Sequence, residues 1–353
     1  MMDKQRKHWI KPGSFIILSL VLAGLFLLNL ISGSVYIPIN EVFSILFGDS
    51  GTFKAANEII VGDFRLNQAI TAMLSGAGLA VAGLLMQTLF RNPLADPSIL
   101  GISSGASLGV AVMLMVMGSV SGNVAVISGV WGSVGLIVAA SVGAFLVLLL
   151  ILAVSNRIGN IVSLLIIGIM ISYIGGALVG LIKYYGQKDD VHAFVIWGMG
   201  SFSNVSNSIL PFFGFSLIIP LLLSFLFVKP LNLLLLGEKY ASGLGLKVKT
   251  NQWLVLLIAG FLTAVVTAFA GPVAFIGLAV PHFARNLFKT SGHSILLPAV
   301  VLIGAILALF CNWIARLPGF DGNLPINAVT SLIGAPMVIW IIIRRKDIYR
   351  SNS

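Results

Sequence analysis

The feature that most constrains this fold is where the charges are absent. Only 9% of the 353 residues are Asp, Glu, Lys or Arg, and they gather in short stretches between long uncharged apolar runs. A soluble core needs a polar shell around it, and a chain that is 58% hydrophobic cannot supply one. The chain reads as a membrane protein. Hydrocarbon about 30 Å thick calls for about 20 apolar residues per helix. Ten candidate spans lie near 14–33, 66–90, 98–118, 124–154, 161–182, 209–228, 252–270, 273–289, 295–315 and 325–343. The run after Ser14 lacks a small-residue cleavage site and nine more spans follow, so it reads as the first helix and not as a signal peptide.

Basic residues near helix ends stay cytoplasmic, which sets the orientation. With the N-terminus inside, the inner segments hold Lys4, Arg6, Lys7, Lys11, Arg91, Arg157, Lys229, Lys239, Lys247, Lys249, Arg285, Lys289, Arg344, Arg345, Lys346 and Arg350. Lys54, Arg65, Lys183, Lys188 and Arg316 fall outside, with the acids Glu41, Asp49, Glu58, Asp63, Asp189, Asp190 and Asp321. Both termini are then cytoplasmic: a tail at 1–13, a connection at 229–251 and a tail at 344–353 within one transmembrane domain, 1–353. The net charge of +10 is mostly this topological signal. No basic patch with interleaved aromatics supports nucleic-acid binding. Cys311 is alone, which excludes a disulfide or CxxC metal site within the chain, and reads as a small packing residue. His8, His192, His282 and His293 lack metal-ligand spacing and read as structural.

Two junctions resemble each other. The second span ends in RNPLADPSILGISSG and the seventh in AGPVAFIGLAVPHFAR, each a Pro- and Gly-interrupted turn leading into a short glycine-bearing helix. They lie five spans apart, an odd offset that sets them on opposite sides, as inverted repeats of two five-helix halves require. Broken helices at membrane depth are tolerated only where protein buries them or a cavity is lined, so the junctions point to a transport pathway. Gly76, Gly78, Ala80, Ala82 and Gly83, then Gly101, Gly105 and Gly109, allow close helix approach. Gly175, Gly176 and Gly180 fit either a packing face or the lining of a wide bore.

Ion-coupled carriers need an ionisable side chain at depth, and the spans offer essentially none. No G-x-x-x-x-G-K-[ST] loop exists in the chain, so ATP is not bound by a Walker motif of its own. A partner ATPase is the economical energy source. The stretch KPLNLLLLGEKYASGLGLKVKTNQ, 229–252, is the longest inner connection; it fits either a docking element for such a partner or a basic loop obeying the topology rule.

RNPLADPSILGISSGASLG at 91–109, IWGMGSFSNVS at 196–206, LNLLLLGEKYASGLGL at 231–246, GPVAFIGLAVPHFAR at 271–285 and LPINAVTSLIGAPMVIWIIIRRK at 324–346 resemble the FecCD-type permeases. These are membrane subunits of type II ABC importers for iron siderophores, haem and cobalamin. The resemblance runs from about residue 65 to the C-terminus, with the motifs in order. It implies a homodimer, or a heterodimer of two such permeases, with ten helices each, two ATPase subunits that dock below and use ATP and Mg, and an extracytoplasmic binding protein above. No cofactor is implied on the chain itself, and it is not an enzyme. The location implied is the bacterial cytoplasmic membrane, and the cargo an iron chelate, siderophore or haem.

Carried over residue by residue, the resemblance implies a cytoplasmic gate at Asn92, Pro93 and Leu94 with Gly159 and Asn160. It implies ATPase coupling at Gly237, Glu238, Ala241, Ser242, Gly243, Leu244 and Gly245. The pathway lining would be Ser163, Met170, Ser172 and Gly176 with Asn327, Thr330, Ser331 and Gly334, small uncharged groups that let a large chelate pass without sticking. Arg65 and Arg316 would receive carboxylates of the binding protein, with Asp321 near enough to neutralise Arg316. One departure is that the family's RLPR reads Arg65-Leu66-Asn67-Gln68 here, so one expected basic contact is missing. Cobalamin is the alternative cargo within the family. An ion-coupled secondary transporter is the alternative mechanism, which transport without ATP would favour; a non-transport scaffold fits only the composition.

Overall fold

The computed structural model describes residues 13–33, 35, 37–47, 55–117, 130–158, 161–317 and 324–350. In chain order the helices are α1 (Gly13–Ile31), α2 (Ile39–Phe47), α3 (Ala55–Ile59), a π-helical turn (Ile60–Arg65) and α4 (Leu66–Leu89). A 3-10 turn (Pro97–Leu100) leads to α5 (Ile102–Ala111), which widens into a π-helical end (Val112–Met117). Then come α6 (Val130–Arg157), α7 (Ile161–Tyr185), α8 (Lys188–Gly198), α9 (Leu210–Phe225), α10 (Val228–Leu235) and α11 (Glu238–Gly243). The chain closes with α12 (Val248–Ala270), α13 (Ile276–Phe288), α14 (His293–Ala315) and α15 (Ile326–Arg350).

Among the described residues six helices are long and apolar enough to cross a membrane, or seven if α9 and α10, bent by 57°, form one span. Each of the ten expected spans coincides with a helix, but α5, α13 and the apolar run Ile326–Ile339 of α15 are shorter than a full crossing. Thirteen residues in α13 reach about 20 Å at 1.5 Å per residue. In α5 and α13 a broken junction precedes the helix. The connection 229–251 is largely helical, as α10 and α11, and α15 continues into the C-terminal segment as far as Arg350. Helix α2 and the helical run back from α4 to Ala55 lie in a segment read as an outer connection.

Helix α4 is the axis of the subunit, with nearly every residue buried. Its small residues permit backbone contact: a Cβ built on Gly76 would lie 2.2 Å from the Gly304 carbonyl oxygen on α14, and one on Gly83 would lie 1.8 Å from that of Gly277 on α13. Gly105 and Gly143 join α5 to α6 in the same way, at 2.4 Å. Lipid offers no hydrophobic drive between helices, so such close dispersion contact is what holds them. Outward, α6 and α7 expose Leu146, Leu149, Ile166, Tyr173 and Leu181, an apolar surface that the single subunit leaves open.

The packing repeats. Helix α4 touches α14 and α13 as α12 touches α6 and α5, and α5 with α6 and α7 mirrors α13 with α14 and α15. The correspondence fails at α1, which lies on α14, whereas α9 lies on α4 and α12.

Gly83→Ala should destabilise the chain by about 1–3 kcal/mol, since a backbone carbonyl cannot step aside as a side chain can. Gly176→Ala, whose Cβ would meet nothing within 4 Å, should leave stability unchanged. Thermal unfolding of the two variants in detergent checks this; equal midpoints would contradict the close α4–α13 packing.

Candidate functional site

The first junction is built by local side-chain capping. Arg91 leaves α4 with φ +47°, and Asn92 Oδ1 accepts from the Leu94 amide at 2.9 Å, a turn that Asn favours. Pro93 lacks a donor and fixes φ. Asp96 Oδ1 then accepts from the Ser98 amide at 2.9 Å, capping the 3-10 turn, and Gly101, with φ +80°, opens α5. Ala95, Pro97 and Leu100 are buried while Asn92, Pro93 and Leu94 are exposed. The tip is therefore an exposed, internally braced loop on a buried base. Gly159 and Asn160, expected beside it, lie outside the described residues.

The second junction has the same construction with different residues. Gly271 (φ +75°) and Phe275 (φ +68°) make the break before α13. A left-handed Phe is a strained choice, and it is held by packing: a Cβ on Gly334 would lie 2.4 Å from that of Phe275. Ser201 N donates to the Ala270 carbonyl at 2.8 Å, Asn327 N to Met199 O at 3.1 Å, and Ala274 N to Asn327 Oδ1 at 3.2 Å. The IWGMGSFSNVS segment thus braces the break. The two junctions meet inside the subunit, where a Cβ on Gly277 would lie 2.9 Å from Pro97 Cδ and Gln87 Nε2 donates to Leu278 O at 3.1 Å.

This geometry divides the expected pathway lining. Met170 and Gly176 stand on the open face of α7, and Ser163 and Ser331 are half-buried. Ser172 turns toward Gly101, its hydroxyl on the Gly168 carbonyl at 3.0 Å. Thr330 is 2% exposed, Gly334 is filled by Phe275, and Asn327 serves the second junction. Ser172, Thr330 and Asn327 spend a polar group on a neighbouring backbone and Gly334 its small size on the Phe275 side chain, so all four also brace the subunit.

Helix α11 stands out from the body. Gly245, with φ +85°, ends it in a Schellman motif, Leu246 N donating to Ala241 O at 3.0 Å and Gly245 N to Ser242 O at 2.9 Å. Ala241 is buried and anchors the turn; Ser242, Gly243, Leu244 and Gly245 are exposed, and a Cβ on Gly243 meets nothing within 4 Å. Glu238 accepts from Gln252 at 3.0 Å, and Gly237 (φ +116°) lies beside the Arg91 guanidinium, 3.9 Å from a built Cβ. The expected coupling residues and the first junction therefore lie close to each other.

Arg65 and Arg316 converge on the C-terminus of α1. Arg65 is 2% exposed; its Nη1 donates to Leu30 O at 2.9 Å and Ile31 O at 2.8 Å, and its Nη2 to the Val35 carbonyl. Arg316 Nη1 donates to Asn29 O at 3.2 Å. Burial, with the neighbouring Arg65 charge, lowers the Arg316 pKa to about 10, so it stays cationic at neutral pH. Within the subunit, carbonyls that α1 leaves unpaired at its end take donors from both arginines. Asp321 lies outside the described residues.

A polar cluster at the other end of α4 escaped the sequence reading. Arg285 Nη1 donates to Gln87 Oε1 at 2.5 Å. Thr88 Oγ1 lies 2.8 Å from His293 Nε2, and Asn232 Oδ1 lies 2.9 Å from both His293 Nδ1 and the His293 amide nitrogen. An amide oxygen only accepts, so Nδ1 carries the proton. The available signal was Gln87-Thr88, two polar residues closing an apolar run.

Against known proteins, the FecCD transport family model matches residues 20–344. The chain belongs to the FecCD transport family. It is 36% identical over 287 residues to the hemin transport system permease protein HmuU of Yersinia pestis, covering 81% of this chain and 83% of that one. It is 35% identical over 330 residues to the vitamin B12 import system permease protein BtuC of Klebsiella pneumoniae, covering 93% of each. Its fold matches a solved chain described as an inward-facing metal-chelate type ABC transporter, with TM-score 0.81 and 29% identity over 94% of this chain and 99% of that one. Like other members of this family of permeases, the chain is a multi-pass membrane protein without catalysis of its own.

Charge-assisted hydrogen bonds contribute about 1.5–3 kcal/mol each, so Arg65→Gln should loosen α1 and lower the unfolding midpoint of the isolated chain in detergent. Protease cleavage between α1 and α2 should rise in parallel. An unchanged midpoint and cleavage pattern would return Arg65 to a role at the surface.

Proposed function

We propose that the chain is the permease subunit of an ATP-driven importer that carries an iron chelate, a siderophore or haem, inward across the bacterial cytoplasmic membrane. The match to the FecCD family over residues 20–344 carries this reading. Two such permeases form the dimer, two ATPase subunits dock on the cytoplasmic side and an extracytoplasmic binding protein delivers the chelate. Ten spans in two inverted five-helix halves, with both termini cytoplasmic, agree with the mirrored contacts of α4 and α12 and with the basic residues near Gly237 and Arg285. Cobalamin is the second reading for the cargo, supported by the similarity to BtuC over most of both chains. Transport driven by an ion gradient without ATP would instead support a secondary carrier.

Coupling follows from proximity. An ATPase that grips the exposed Ser242–Gly245 turn pushes on α11, and the close approach of Arg91 to Gly237 passes the motion to the junction. Asn92 and Leu94, at its exposed tip, then open or close the exit. Chelate meets the open face of α7, with Met170 and Gly176, along the axis between the two permeases.

Proteoliposomes holding permease, ATPase and binding protein should take up ferric siderophore or haemin in proportion to ATP hydrolysed and leave cobalamin outside. In the same vesicles Gly243→Trp, which the fold has room for, should cut uptake at least about tenfold, a loss of about 1.4 kcal/mol in coupling, while membrane insertion persists. Uptake of cobalamin alone would exchange the cargo, and full coupling in Gly243→Trp would remove α11 from the ATPase contact.

Cysteines at Asn92 or Leu94 should cross-link the two permeases in the resting complex and lose that cross-link when nucleotide closes the ATPases. A yield indifferent to nucleotide would make the junction a rigid connector.

A further inference from the structure

The polar cluster at the end of α4 borders an open pocket of about 240 Å³. Its wall carries two guanidiniums, Arg91 and Arg285, together with Gln87, Thr88, Ser291 and His293, and no Asp or Glu. Three of these polar side chains are buried: Gln87 is 3% exposed, Thr88 2% and His293 1%. They are also held in place, Arg285 by Gln87 at 2.5 Å and His293 by Thr88 and Asn232 at 2.8 and 2.9 Å. The first turn of the 23-residue helix α14 borders the cavity through His293, and the N-terminal end of a helix favours an anion. Arg91 reaches the wall from a left-handed backbone position, φ +47°, that a non-glycine residue adopts at a cost. On the rim, Leu235 lines the cavity and is 40% exposed, with Leu236 beside it at 63%.

An arginine-lined anion pocket with an apolar rim at a helix end has the chemistry of a phospholipid site. We propose that this cavity binds a phosphate group between Arg91 and Arg285, supplied by the headgroup of an anionic phospholipid whose acyl chains cover Leu235 and Leu236. The same chemistry would accept free phosphate. A bound phosphate would tie the first junction, through Arg91, to α13 and α14, so that lipid composition sets how freely the junction moves against Gly237. The site does not rest on the transport reading, because it belongs to one chain and is measured without ATPase or cargo.

The test uses the full chain purified in neutral detergent and native mass spectrometry. Dioctanoyl phosphatidylglycerol should bind saturably and at least about tenfold more tightly than dioctanoyl phosphatidylcholine, and inorganic phosphate should displace it only at much higher concentration. Arg91→Gln, at an exposed side chain whose loss the fold tolerates, should weaken phosphatidylglycerol binding about tenfold, and Arg285→Gln should do the same where it folds. Displacement by inorganic phosphate at equal concentration would keep the phosphate site and assign it to the free anion. No saturable binding of either probe, or binding unchanged in Arg91→Gln, would overturn the proposal.

Discussion

The whole arrangement depends on how closely other helices approach α4. Gly76 and Gly83 bring the backbones of α14 and α13 to distances at which no methyl group fits, and this is where a lipid-soluble chain finds its cohesion, since burying apolar side chains against lipid tails gains little. Large side chains go to the outside, on α6 and α7, and small ones to the inside. The usual pattern of a soluble protein is thereby reversed in size while every face stays apolar. A hydropathy profile cannot distinguish the two faces, but the distribution of glycine and alanine can.

Once α4 is fixed, the junctions follow. A helix interrupted at depth exposes backbone groups that lipid cannot satisfy, and both breaks are satisfied from within: Asn92 and Asp96 cap the first, while Ser201 and Asn327 serve the second. The two solve one problem with different residues. A glycine takes the left-handed position before α5, whereas before α13 it is Phe275, held there by the space Gly334 leaves. Glycine at 334 is therefore a consequence of strain at 275, which explains why a residue placed on a pathway helix turns inward.

Much of this was legible in the sequence and some of it could not be. The apolar runs, the two broken junctions and the protruding 237–245 turn are written in local residue types, and each appears where its composition put it. Helix α2 was not legible as a separate element, because its nine residues, INEVFSILF, are too few to cross a membrane and the segment reads as a connection even though its apolar residues fall at helical spacing. Neither were the roles of Thr330 and Ser172, since a small polar residue on a membrane helix reads the same whether it faces a pathway or a neighbouring backbone. The Gln87–Arg285–His293 cluster joins residues about two hundred positions apart, and no local pattern announces such a meeting.

The arginines show why a charge census fixes sides but not roles. Arg65 and Arg316 were placed together by their position outside the runs, and so were Arg91 and Arg285 at the other end. What separates the pairs is the helix terminus each one meets. Helix α1 ends beside Arg65 and presents carbonyl oxygens without amide partners, so the guanidinium is taken up and buried. Helix α14 begins beside Arg285 and His293, where the Gly292 and His293 amides already donate to Thr290 and Asn232 and the dipole repels further positive charge. Cations gathered at that end gain little from the helix itself, and Gln87 supplies an acceptor to only one of them. The direction of the nearest helix thus decides whether an arginine at a membrane boundary closes the fold or keeps an attraction for an anion from outside it.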